Sequence, residues 1–407
     1  MRALTAAGDK LNSSHVLLQA LLWADRQFAR VLLDRGEQDP NAPSAIMLAS
    51  AAHAVWNDAP VEGRTVIRRW LDGAVETLRR SAPLVLVDRF ENLAEDDIDL
   101  VRAMLVDRDP VVVCNTLRSI WTWRAPDEVV LDLIFSATLR GELELEQVAM
   151  ILGGRTGELL TRVTEEQAAG LMKVAEPFPR LDGHWLNEAI AAFSGRFPRA
   201  TAAFFRARVE YAVPDPFEFR VANYGPYARS RLEFARSDVG VEILSETWDW
   251  LRLNWSRGFG FQHPATHLFD AMFLGDAEHL IDFFEPQMDT AGPLELELLS
   301  ALLREVHFKF VLRRTDFVIR YLERCAQFDR DLVDQVSQRL YAAATSGMYS
   351  GMPGEPMPRD LETRDLAKAI LDRLSPMSPA WELYDWICDH ADRNIERARR
   401  EGELMDD

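Results

Sequence analysis

An aspartate followed by a proline, set between two apolar-striped segments, constrains this chain more than any other feature. In Asp99 to Trp123, DLVRAMLVDRDPVVVCNTLRSIWTW, the residues Leu100, Val101, Met104 and Leu105 share one helical face. After the break, Val113, Leu117, Ile120 and Trp121 recur at three- and four-residue steps. Asp109 offers a side-chain oxygen to the free amides of the next turn. Pro110, at the first helical position, has no amide to lose there and already holds a helical φ. The stretch therefore reads as two short helices turned back on each other, each with an apolar face that must be covered by another element.

The same punctuation runs along the chain. Ser13 or Ser14 caps a helix ending at Gly36, with Val16, Leu17, Ala20, Leu21, Ala24, Phe28, Val31 and Leu32 on its face. Helices follow at Ile46–Trp56 and Val61–Arg80, and Pro126 opens one that Gly141 stops. Thr164 and Gln167 form a capping-box pair before a helix that Pro177 and Pro179 end. Pro198 to Tyr211 reads as another helix. Beyond Val213 to Pro226, which has three prolines and no sustained period, helices resume from Asp238 to Thr345, with a break at Gly258 to Phe261 and a cap at Thr315. Ser346 to Arg359 is irregular yet apolar enough to lie against the body. Asp360–Leu374 and Ala380–Arg400 close the chain as helices before an acidic frayed tail, Glu401 to Asp407. No stretch has the alternation of a strand. The expected domains are an N-terminal helical lobe over 1–212, an irregular connector over 213–237 and a C-terminal helical lobe over 238–407, with one continuous superhelix as the alternative.

Composition narrows the function classes. The formal charge of −19 repels a phosphate backbone, which disfavours nucleic acid as a partner and points to protein. No run approaches the roughly 20 apolar residues of a membrane span, and no leader or anchor is expected at the N-terminus. Cys114, Cys325 and Cys388 stand far apart among apolar helical residues, as buried thiols in a reducing cytoplasm do. Lysine occurs only at Lys10, Lys173, Lys309 and Lys368, outside any Gly-rich loop, and no G-x-x-x-x-G-K-[ST] occurs. The chain has no P-loop of its own, and no cofactor is expected.

Two resemblances follow from these residues. Asp107, Asp109, Pro110 and the Val-rich helix after them resemble the HEAT motif, in which an Asp-Pro turn begins the second helix. That family usually carries an arginine or lysine a few residues later, where this chain has Cys114 and Asn115. The region from Gln338, including TSGMYSGMPGEPMPR and Ser378-Pro379-Ala380 before Trp381, Tyr384 and Trp386, resembles the end of large bacterial STAND-type ATP-binding proteins implicated in antiphage defence. The resemblances imply an all-α, irregular HEAT-like solenoid, with an irregular multi-helix bundle as the alternative. They further imply a non-catalytic scaffold or sensor that leaves nucleotide to another domain.

Several residues invite chemistry. His263 and His267 are four apart with Asp270 beyond them and His279 further on, a spacing that can share a metal, but Pro264 places His263 ahead of the helix and no H-E-x-x-H is present. A metal-dependent hydrolase there, or a DNA glycosylase-type helical-repeat enzyme, is the catalytic alternative. His390 with Asp389 and Asp392 makes a poor triad, because such neighbours point to different faces. Glu95, Asp96, Asp97 and Asp99 suit a helix start. The Trp121/Trp123 and Trp248/Trp250 pairs are two apart, so one member of each must point to an edge or a neighbour, and Trp381/Trp386 is a looser pair. With Arg313 and Arg314, the first two tryptophan pairs are the expected partner-binding residues.

Overall fold

The computed structural model describes residues 21–22, 24–40, 47–86, 94–123, 125–154, 158–222, 232–234, 237–273, 277–303, 309–345 and 354–406. Among them the fold is all-α, with no strand, and no helix is long and apolar enough to cross a membrane. The expected start at Ser13 or Ser14 lies outside the described residues, as do Met348, Tyr349 and Met352.

Contacts divide the chain into two compact units. One comprises Met1–Ala175 with Leu181–Ile190, and the other Glu176–Arg180 with Ala191–Asp407. Within each, helices pack on neighbours one to three helices away in the chain. In the first unit Glu95–Leu105 touches Pro110–Trp121 and Asp127–Ser136, and Pro110–Trp121 touches Glu142–Gly154. In the second, Pro293–Leu303 touches Thr315–Ala326 and Arg330–Thr345, and Arg330–Thr345 touches Trp381–Asp406. A polar pattern accompanies this layering. Arg30 pairs with Glu62 at 2.9 Å, Arg64 with Asp97 at 2.6 Å, Arg102 with Asp132 at 2.8 Å and Arg162 with Glu128 at 2.6 Å. In the second unit Arg314 reaches Asp282 at 3.0 Å and Arg320 reaches Glu285 at 3.0 Å. In these six pairs the separations in chain run from 30 residues at Arg102 to 35 at Arg320, about one helix pair, while Arg199–Glu242 spans 43 and Arg257–Glu210 spans 47. Arginine suits this job because its planar fork spans two helices and fits a carboxylate.

The capping signals hold where they act locally. Asp109 accepts from the Val111 amide at 3.0 Å with Pro110 at the first position. Thr164 and Gln167 exchange both capping-box bonds, at 2.9 and 3.3 Å. Asp97, 2% exposed, accepts from the Ala94 amide at 3.1 Å and takes the Arg64 pair, so the acidic cluster at 95–99 starts a helix, Glu95–Leu105.

Five expectations are corrected by the structure. The first helix does not run unbroken to Gly36. Asp25 interrupts it and caps Arg26–Gln38 through the Phe28 amide, and the buried face is Leu22, Ala29, Leu32 and Leu33, while Leu21 and Val31 face solvent. Gly36 lies inside that helix, where a Cβ would come 2.4 Å from Leu48 Cδ2; it is a close-approach residue and not a stop. Val61–Arg80 is two helices, Pro60–Asp72 and Glu76–Ser81, because the buried Arg79 folds back and donates to the Leu71 and Gly73 carbonyls that end the first. Thr315 is the first helical residue and not its cap, its hydroxyl donating to the Leu312 carbonyl at 3.2 Å. At the C-terminus the last helix continues to Asp406 instead of fraying after Arg400.

Arg208 is the most deeply committed charge of the second unit. It is fully buried and donates to four carbonyls, those of Val221 at 2.7 Å, Phe178 at 2.8 Å, Glu176 at 3.2 Å and Arg220 at 2.5 Å, with the Phe219 ring 4.7 Å away. Its guanidinium gathers two irregular segments, 176–178 and 220–221, by donating to their carbonyls.

Candidate functional site

A concavity of mixed chemistry lies in the second unit, on the outward side of the Trp381–Asp406 helix. The core side of that helix is Leu383, Tyr384, Ile387, Cys388, Ala391 and Ile395, all buried at three- and four-residue steps. Trp381, Glu382, Asp385 and Trp386 occupy the other side, so two large aromatics stand where a helix of this pattern normally shows only polar groups. They line a cleft of about 520 Å³ together with Arg330 and Val333 of the Arg330–Thr345 helix and the 376–379 loop. That loop is held by its own serines. Ser375 Oγ accepts from the Met377 amide at 3.2 Å, Ser378 Oγ from the Ala380 amide at 3.3 Å, and the Ser378 carbonyl from the Trp381 amide at 3.0 Å. Met377, 90% exposed, stands at the rim.

The cleft is electrostatically lopsided. Arg330 is spent on two carboxylates, Glu382 at 2.6 Å and Asp334 at 3.0 Å. Asp385 has no ion pair among the described residues. Burial, with the neighbouring charges of Asp389 and Glu382, pushes its carboxyl above the usual range. Behind the wall, the Trp386 ring meets Tyr341 edge-on, and the Tyr341 hydroxyl lies 3.0 Å from His390 Nδ1. Burial pushes the His390 imidazole down, which suits a neutral ring held by a hydrogen bond and not a triad member.

The other expected sites come apart or are absorbed by packing. Trp123 is 1% exposed and donates to the Leu86 carbonyl, and Trp248 is 6% exposed against Phe284 at 4.6 Å. Trp121 and Trp250 are the half-exposed members; helix geometry requires this of Trp248 and Trp250, two apart in Gly240–Asn254, whereas Trp123 lies past the end of the Pro110–Trp121 helix. Trp121 covers Gly154, and Trp250 meets Phe261 edge-on at 5.0 Å. Arg314 is taken by Asp282 and Glu285, while Arg313 is exposed. His263 and His267 do face each other, ring centroids 4.5 Å apart, but in an aromatic cluster where His263 stacks on Phe259 and meets Phe217. Pro264 lies inside the Phe259–Phe273 helix, so His263 belongs to that helix and does not precede it; only Gly258, at φ 82°, breaks the chain there. No group of three His, Cys, Asp or Glu side chains among the described residues is arranged to hold a metal ion, and His279's side chain lies outside them.

Residue-by-residue reading of the sequence finds Trp381 and Trp386 but misses Arg330, Glu382 and Asp385. The available signal is the i, i+4 placement of Trp381 with Asp385 and Glu382 with Trp386 opposite an apolar stripe. Arg330 is 52 residues away from Glu382 and no local pattern joins them.

Compared with known proteins, the chain matches no family model, no curated protein and no solved structure.

Proposed function

We propose that the protein is a non-catalytic interaction scaffold whose units are irregular HEAT-like stacks, with a protein as its partner. The observation that carries this reading is the layered helix packing, in which arginine–carboxylate pairs recur about one helix pair apart in chain. Repetition of that kind builds an extended surface from nearest-neighbour contacts, which is how helical-repeat proteins bind. Three buried, unpaired thiols fit work in the cytoplasm. The resemblance of the C-terminal region to STAND-type proteins directs the reading to the recognition arm of a bacterial antiphage assembly, with nucleotide bound by another chain or domain.

An enzyme of the DNA glycosylase type is the competing reading. It needs a basic, aromatic-lined groove, and the tryptophans of the cleft are accompanied by carboxylates that would repel phosphate. Cross-linked affinity capture from the source cell tests the scaffold. A protein retained at a fixed ratio to the chain, with hydrogen-exchange protection near Trp121, Trp250 or Arg313, is the expected result. Retention of no protein after cross-linking overturns it.

A further inference from the structure

We propose that the cleft between the 376–379 loop and the outward side of the Trp381–Asp406 helix receives an arginine side chain from a basic, extended segment of a partner protein. The inference rests on the scaffold reading and names the chemistry of its partner.

Three observations converge. Trp381 and Trp386 sit on the solvent side of a helix whose opposite side already carries the core. Indole faces are the best aromatic surface for a cation, and a guanidinium stacks on them as well as attracting the ring electrons. Asp385 is half-buried among these walls with no ion pair among the described residues, and with Glu382 and Asp389 as like-charged neighbours. Arg330, the one cation among the described residues that line the cleft, is already held by Glu382 and Asp334. A partner's guanidinium would supply Asp385 with a counter-charge that none of the described residues gives it.

The remaining walls fit a peptide backbone. Pro376, Met377 and Pro379 make an apolar rim, and the serine bonds within 375–380 hold that rim in place before any partner arrives, which lowers the ordering cost of binding. A volume of about 520 Å³ takes one long side chain and its flanking residues. Arginine is favoured over lysine because its flat head can stack on indole and still direct two N–H groups at one carboxylate.

The test uses the full chain and fluorescence anisotropy with a labelled Gly/Ser decapeptide carrying two arginines. Companion peptides replace arginine by citrulline, which keeps the shape without the charge, or by lysine. Saturable binding of the arginine peptide is expected, at least tenfold tighter than citrulline and tighter than lysine. Asp385→Asn should weaken it at least fivefold. That variant is safe for folding, since it removes a charge that burial already disfavours. Glu166→Gln, an exposed carboxylate of the other unit, should change affinity less than twofold.

Absence of saturable binding, equal affinity for citrulline, or equal weakening by the two variants overturns the proposal. The two readings fail separately. A partner retained in cells equally by wild type and Asp385→Asn leaves the scaffold and removes the cleft. Asp385-dependent peptide binding by a chain that retains no protein does the reverse.

Discussion

The Arg80 guanidinium lies 2.7 Å from the Asp109 carboxylate that caps the Pro110–Trp121 helix, reaching it across 29 residues of chain. A basic partner for the Asp-Pro turn is thus present, but it comes from the helix Glu76–Ser81 before the turn and not from the positions of Cys114 and Asn115 after it. Burial opposes ionisation of Asp109, yet the Arg80 hydrogen bond and the Val111 amide outweigh it and hold the carboxyl below its usual range. A lowered folded-state value means the ionised form stabilises the fold above the unfolded value of about 4 and ceases to as pH falls through the folded one. Asp109→Ala should cost about 1 kcal/mol from the lost cap alone. Urea unfolding should further show wild type losing its advantage over Asp109→Asn between pH 7 and pH 2.5; a constant difference would sink the argument.

Glycine to alanine should act with opposite sign at two helical positions. At Gly63 a Cβ would fall 2.5 Å from the Trp56 Cα, a backbone atom that cannot step aside, so Gly63→Ala should destabilise by about 2 kcal/mol or more. At Gly170 nothing lies within 4 Å, and alanine should stabilise by about 0.5–1 kcal/mol through its better helix propensity. Thermal and urea unfolding of both variants check the pair.

Arg208 should be irreplaceable. Methionine at this position keeps the aliphatic stem but leaves the carbonyls of Glu176, Phe178, Arg220 and Val221 without their donor. Arg208→Met is expected to lose about 3–5 kcal/mol, the range for unpairing buried polar groups. Hydrogen exchange should show the loss concentrated in the second unit, and unchanged unfolding would refute the clamp.

The cysteines should be inert in the folded chain. Burial pushes the Cys114 thiol up to about 11 and the Cys325 thiol up to about 12, and Cys388 is raised for the same reason. Nucleophilic attack needs thiolate and access, and these sites restrict both. Iodoacetamide at pH 8 should label each at least 100-fold more slowly than in urea; mass spectrometry that finds rapid native labelling of Cys325 contradicts the packing.

The sequence alone determined that the chain is helical and where many helices begin. Asp109-Pro110, Thr164 with Gln167, and the carboxylates at 95–97 act on amides within a few residues, so their effect is written locally. It also required that Trp248 and Trp250, two apart on one helix, diverge, though Phe284 decided which of them enters the core; Trp123 lies past its helix, and its burial was set by the Leu86 carbonyl. Tertiary structure decided the rest. Whether Gly36 ends a helix or admits Leu48 depends on a neighbour, and whether Gly73 breaks one depends on Arg79 folding back. The cleft is the extreme case. Its aromatics are visible in the sequence, but its charge imbalance exists only because Arg330 spends itself on Glu382, 52 residues away, and leaves Asp385 alone. Local hydrogen bonding is encoded residue by residue, whereas electrostatic vacancy is a sum over everything the fold brings near.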